Sequence, residues 1–281
     1  MIHPIVKYTV IPTLAAVGGT AFLVAPGHYT KAMQAPFADR NYAHRGLHKK
    51  DKSIPENSLG AFRAAVNAGY GIELDVQRTS DGKLVVFHDS TLERICGDKR
   101  RLYDCTFEEL QKLRLLDSEE RIPLFSDVLA VIGGKVPLVV EIKSDGNWRA
   151  CTEETAEMLD GYEGIYCLES FRAGVLKWFR KNRPDVIRGQ LSLDYFKWHS
   201  EQPFIAKLAL SDLMLNFLSR PDFISYDHSQ ANRLSYRLIR RLFPVENVCW
   251  TVKSQAELEE ARKIFKCFIF DSFIPDEGES E

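Results

Sequence analysis

Nine short, apolar, β-prone runs alternate along this chain with stretches of helical character, and that alternation admits few folds. The runs are Tyr42–Arg45, Ile72–Val76, Leu84–His88, Pro137–Ile142, Ile165–Leu168, Val186–Leu191, Phe223–Tyr226, Val248–Val252 and Phe268–Phe270. Helix signals fill most of the gaps. Asn57-Ser58 precedes Leu59–Val66, and Gly69 ends that stretch as C-terminal glycines do. Thr106 begins a capping box with Glu109. Ser254 opens a helix with Glu257, Glu259 and Glu260 early and Arg262 and Lys263 late, as the helix dipole favours. Such alternation predicts a parallel sheet with crossover helices, and eight or nine strands in 281 residues predict closure. The expected fold is therefore α/β, an irregular (β/α)8 TIM barrel. The irregularity is local: Gln77 to Lys83 is too short for a helix, and Asp81-Gly82 reads as a turn. One of the nine strands must then lie outside the eight.

The amino terminus differs in kind. From Tyr8 to Thr30 there is no Asp, Glu, Lys or Arg, and the run suits a marginal membrane span of about 20 mostly apolar residues. Residues 1–36 are accordingly read as an apolar helical segment and linker, a single-pass membrane anchor, and residues 37–281 as the barrel domain. The rival readings are a cleaved signal peptide, with Ala32 to Ala35 as a poor cleavage site, or a helix packed on the domain of a cytoplasmic protein. Lys7 on one side faces Lys31 and Arg40 on the other, so charge asymmetry does not decide orientation.

Composition narrows the function classes. A formal net charge of -2 gives no global reason to bind nucleic acid, although local cations can meet an anionic ligand. The six cysteines show no CxxC pair and no zinc-ligand spacing. Cys167 and Cys249 sit in apolar runs and read as buried thiols, and a Cys96–Cys105 disulfide is the minor reading. Gly133-Gly134 precedes a strand rather than opening a helix, so it reads as a turn and not a nucleotide cradle.

Ionisable groups end several of the apolar runs. In an extended strand, side chains two apart share a face, so Glu73 and Asp75 point together while Leu74 points into packing. Glu141 and Lys143 repeat the pattern. Glu73, Asp75 and Glu141 together form an all-oxygen set suited to a hard cation, Mg²⁺ or Ca²⁺, rather than zinc. His44 and His88 end two further runs and can act as acid and base about a reacting centre. Arg45 and Lys143 supply the positive charge that a phosphate requires. The competing reading is structural: Glu73 and Asp75 would then only form salt bridges with Arg45 and Lys143. His3, His28, His48, His199 and His228 lack such a setting and read as ordinary histidines.

His44-Arg45-Gly46, Pro55-Glu56-Asn57-Ser58, Glu73-Leu74-Asp75-Val76, Asp81-Gly82, Val86-Phe87-His88-Asp89, Leu92-Glu93-Arg94 and Glu141-Ile142-Lys143 closely resemble, in order and spacing, the glycerophosphodiester phosphodiesterases. Ser170-Phe171 and Trp250-Thr251-Val252 are similar to later blocks of that family, and the likeness runs from about Tyr42 to Pro275. It implies an irregular barrel, a divalent metal on Glu73, Asp75 and Glu141, acid–base chemistry by His44 and His88, and Arg45 and Lys143 near the phosphate. The implied reaction releases an alcohol and sn-glycerol 3-phosphate, a step of glycerol and lipid metabolism, with Trp250 lining the substrate pocket or simply the core. A lysophospholipase D acting on lysophospholipids is the related alternative, with Phe204–Leu210 sheltering an acyl chain. A catalytically silent, membrane-tethered barrel is the alternative from another class. Two departures fall at the carboxyl-terminal rim: Lys253 replaces the family's usual Asn, and the late motif is reduced to Phe268–Pro275.

Overall fold

The computed structural model describes residues 11–27, 36–198 and 201–276. Nine strands form where the apolar runs predict them: β1 (Asn41–His44), β2 (Gly71–Arg78), β3 (Leu84–Val86), β4 (Leu138–Ile142), β5 (Tyr166–Ser170), β6 (Arg188–Ser192), β7 (Phe223–Asp227), β8 (Glu246–Val252) and β9 (Cys267–Phe270). Their order is β1-β9-β8-β7-β6-β5-β4-β2-β3, and β1 also pairs in parallel with β2. Eight parallel strands thus close into a barrel. β3 is the strand outside it, running antiparallel to β2 across the Asp81-Gly82 turn, where Gly82 takes the positive φ of 80° that the turn needs.

Several strand ends shift by one or two residues from expectation, and two beside the barrel mouth do so for a local reason. β1 stops at His44 because Arg45 adopts a left-handed φ of 56° and its N–H donates to the Glu73 carboxylate at 3.0 Å. β3 stops at Val86, and the carbonyls of Phe87 and Asp89 accept from the Gln77 side-chain amide at 2.8 and 2.9 Å. His88 therefore sits on a loop tied to β2 rather than at a strand end. That loop belongs to an excursion with its own small core, in which Val85, Phe87, Leu92, Ile95, Leu102, Leu110 and Ile122 are buried together.

Helices cover the outer strand faces. The helix Leu59–Ala68 begins where the Ser58 hydroxyl accepts the Ala61 N–H and ends at left-handed Gly69. Thr106 and Glu109 form the expected capping box on a single-turn helix, Phe107–Leu110. Inside the barrel, one end is an apolar floor of Tyr42, Val139, Cys167, Phe223, Val248 and Ile269. All six cysteines are free thiols, so Cys96 and Cys105 are not bridged.

The amino-terminal segment forms a helix from Ile11 to Val24, 14 residues long. At 1.5 Å per residue it is about 21 Å, against roughly 30 Å of hydrocarbon. No helix among the described residues is long and apolar enough to cross a membrane. The ends of the charge-free run, residues 8–10 and 28–30, and the Ala32–Ala35 stretch lie outside the described residues, as do His3, His28 and His199. The carboxyl end of this helix rests on the barrel. Asn216 donates to the Val24 carbonyl at 2.9 Å, Arg220 donates to that of Ala25 at 2.8 Å, and the Arg220 guanidinium lies 4.6 Å from the Phe22 ring centre.

Candidate active site

The carboxyl-terminal mouth of the barrel collects what the floor excludes. Parallel register sets His44 beside Glu73, Asp75 beside Glu141, and Glu141 beside Glu169. Glu73, Asp75 and Glu141 each offer an oxygen, and these oxygens lie within 4.8 Å of one another, all in buried residues. Lys143 Nζ lies 2.8 Å from both Asp75 and Glu141, and Arg45 Nε lies 3.4 Å from Asp75. Asn57 donates to Asp75 Oδ2, the oxygen that faces Arg45, at 2.9 Å. The structural reading thus holds for Asp75, which is ion-paired twice. It fails for Glu73, which among the described residues accepts only the Arg45 backbone N–H and stands 4.0 Å from His44.

Electrostatics sharpen that asymmetry. Burial, then the charges of Asp75, Glu169 and Glu141, push the Glu73 carboxyl well above its usual range. Glu141 also rises, by burial and despite Lys143. For Asp75 burial is outweighed by Lys143, His88 and Arg45, which hold it well below the usual range. Glu169, fully buried, is pushed up to about 8 by burial and by Glu141. Four buried carboxylates face two cations, and one of these, Arg45, is shared with Glu56 at 2.6 Å. The surplus of oxygen donors and of negative charge fits a divalent cation among Glu73, Asp75 and Glu141.

Each of the two histidines has one ring nitrogen tied to a carboxylate. His44 Nδ1 donates to Asp271 at 2.8 Å, and His88 Nδ1 donates to Asp89 at 2.6 Å. Those bonds leave each Nε2 for proton transfer. Burial, then Arg45, lowers His44 to about 4 even with Asp271 beside it. Asp271 is itself held far below the usual carboxylate range: burial is overcome by its bonds to His44 and His48. Asp89 is bound in turn by Arg94 at 2.7 and 3.0 Å, and the same guanidinium grips Glu56 at 2.8 and 2.7 Å. Arg45, Glu56, Arg94, Asp89 and His88 are therefore one continuous chain of charge-assisted bonds.

A chamber of about 70 Å³ lined by His44, Glu73, Glu141, Glu169 and Trp250 opens beside a cleft of about 1080 Å³ lined by His88, Lys143 and Trp250. All eight residues singled out from sequence, His44, Arg45, Glu73, Asp75, His88, Glu141, Lys143 and Trp250, meet at this mouth. Trp250 packs edge-on to Phe171 at 5.6 Å, and its buried Nε1–H has no partner among the described residues. Sequence reasoning missed Glu169 and the part played by His48, and it gave no role to Asp271 and Arg94, which it met only as motif residues. Cys167-Leu168-Glu169 repeats the alternation of Val139-Val140-Glu141 and carried a usable signal. His48, read as an ordinary histidine, lies 3.2 Å from Asp271 and so belongs to the rim of the site. Lys253, one of the departures, is exposed, and its backbone N–H donates to Glu257 at 2.7 Å.

The sequence and the fold have counterparts. The Bos taurus glycerophosphodiester phosphodiesterase 1 is 41% identical over 270 residues, 83% of this chain and 76% of its own length. The Caldanaerobacter subterraneus glycerophosphodiester phosphodiesterase is 44% identical over 110 residues, 36% of this chain, and the match spans only 44% of that relative. An Oleispira antarctica phosphodiesterase, solved in complex with its product sn-glycerol-3-phosphate, superposes with a TM-score of 0.68 at 20% identity, covering 84% of this chain and 93% of that one; it supports the fold. The Thermotoga maritima glycerophosphodiester phosphodiesterase superposes with a TM-score of 0.61 at 26% identity, covering 83% and 94%. The glycerophosphoryl diester phosphodiesterase family model matches residues 44–273, from the first histidine of the mouth to the loop beyond β9. This chain therefore belongs to the glycerophosphoryl diester phosphodiesterase family.

Proposed function

We propose that this chain hydrolyses a glycerophosphodiester to an alcohol and sn-glycerol 3-phosphate. The observation that carries the reading is the pairing of a carboxylate triad with two histidines that each keep a free Nε2 at one cleft. A divalent cation, Mg²⁺ or Ca²⁺, held by Glu73, Asp75 and Glu141 would polarise the phosphoryl oxygens. Lys143 and Arg45 would add fixed positive charge to the phosphate, and the Trp250 N–H a donor to the substrate. His44, neutral at pH 7 by virtue of its burial, would take a proton from the attacking water as the new phosphorus–oxygen bond forms. His88, in the open cleft, would give a proton to the departing alcohol oxygen as its bond to phosphorus breaks. Asp271 and Asp89 would hold the two rings in the required tautomers.

Turnover of glycerophosphocholine tests this. His44→Ala and His88→Ala should each lower kcat by about 10²-fold or more, and chelation should abolish activity until Mg²⁺ or Ca²⁺ is restored. Full activity in chelator, or preference for lysophosphatidylcholine, would overturn it. Attachment to a membrane by residues 8–30 is a separate proposal, supported by their charge-free composition. Extraction of the full chain from membranes by alkaline carbonate would count against it.

A further inference from the structure

We propose that the exposed face formed by the helix Leu234–Leu242 and the neighbouring Phe196, Phe204 and Ile205 docks on an anionic lipid bilayer. The helix buries Tyr236 and Ile239 and turns Leu234, Leu238 and Leu242 outward. Leu234 and Leu242 are 69% and 67% exposed, which no packing inside the domain explains. Helical spacing puts Arg237 and Arg241 on that same outward face, between the leucines. The helix contains no acidic residue, and no carboxylate among the described residues pairs with either arginine.

The face continues beyond the helix. Arg233, neutralised by Asp194 and Asp212, lies 5.5 Å from the centre of the Phe196 ring, and Phe196 packs on Phe204 at 5.4 Å. Phe204 and Ile205 are 70% and 79% exposed. Two residues from Phe196, Trp198 packs on Tyr195 at 5.8 Å, and both line the large cleft. The apolar ridge therefore runs from the helix to the rim of the catalytic mouth. Its chemistry selects the occupant. A ridge that interleaves leucine with unpaired arginine suits a fluid surface that takes the apolar groups among its acyl chains and meets the cations with phosphate. A protein partner would need a complementary acidic groove.

The proposal stands apart from the hydrolysis reading, since it is read by binding. The full chain would be sedimented with phosphatidylcholine vesicles, with and without phosphatidylglycerol. Arg237→Glu with Arg241→Glu should weaken partitioning to the anionic vesicles by about tenfold or more and remove most of its salt dependence. Leu234→Ser with Leu238→Ser should weaken it about as much at any salt concentration. Both variants should keep the parental Tm, because the altered side chains face solvent. Unchanged partitioning of either well-folded double variant would overturn the proposal, as it would if another segment supplied all of the attachment. So would a parent that ignores anionic vesicles and instead forms a complex with an acidic protein through these leucines.

Discussion

Val139 and Glu141 leave the same strand toward the same barrel interior, one into an apolar floor and the other into a crowd of carboxylates. The floor is closed by rings and branched side chains, and even glycine is chosen for fit. A Cβ on Gly189 would overlap the Phe223 ring, and one on Gly71 would lie 2.5 Å from the Tyr42 ring. The mouth, one pleat repeat away, holds groups that burial alone would reject. The floor therefore contributes stability and excludes water, while the mouth gives up stability for charge placement. The two ends should respond oppositely to substitution.

The largest contrast is expected at Glu73. Glu73→Gln keeps the shape and removes a charge, and it should lower activity by about 10²-fold or more through lost cation affinity and transition-state stabilisation. In chelator the same substitution should raise Tm, because burial and three carboxylate neighbours already disfavour the charge there. Titration calorimetry and melting curves separate the two effects. A drop in metal-free Tm would show that Glu73 supports the fold and would break the comparison. At the floor, Phe223→Ala should do the reverse. It should cost about 3–5 kcal/mol of stability, read from denaturant titration, with KM unchanged at temperatures where the variant is folded.

How much of this was legible in the sequence divides along the same line. Local pattern carries the strands, the missing helix before β3 and the triad, because alternation along one strand decides which side chains share a face. The mouth's partners are set by closure, which no local window contains. Asp271 meets His44 across 227 positions because β9 pairs with β1. Glu56, Asp89 and Arg94 were visible as motif residues, but their role as one bonded chain depends on the excursion folding back over β2. The resting place of the Ile11–Val24 helix depends likewise on Asn216 and Arg220, some 190 residues away in sequence (|i−j| 192 and 195). A charge-free run carries no information about which surface receives it.

The smallest effect expected is a slope. Glu169 has a buried carboxyl pushed up to about 8 from the usual 4.5, by burial first and by Glu141 second. A group that binds its proton more tightly folded than unfolded stabilises the fold fully below its unfolded pKa and loses that contribution as pH rises through its folded pKa. In chelator, stability should therefore decline between pH 4.5 and about 8. Glu73 and Glu141, raised for the same reason, should add to that decline. Glu169→Gln removes one titrating group and should flatten the curve in this window. Phe223→Ala should lower the whole curve and leave its slope as in the parent, since no charge in the floor changes. Denaturant titrations at several pH values in chelator measure both. Equal slopes in the parent and Glu169→Gln would mean that Glu169 keeps the same charge folded and unfolded, and the mouth would then be less strained than its four buried carboxylates imply.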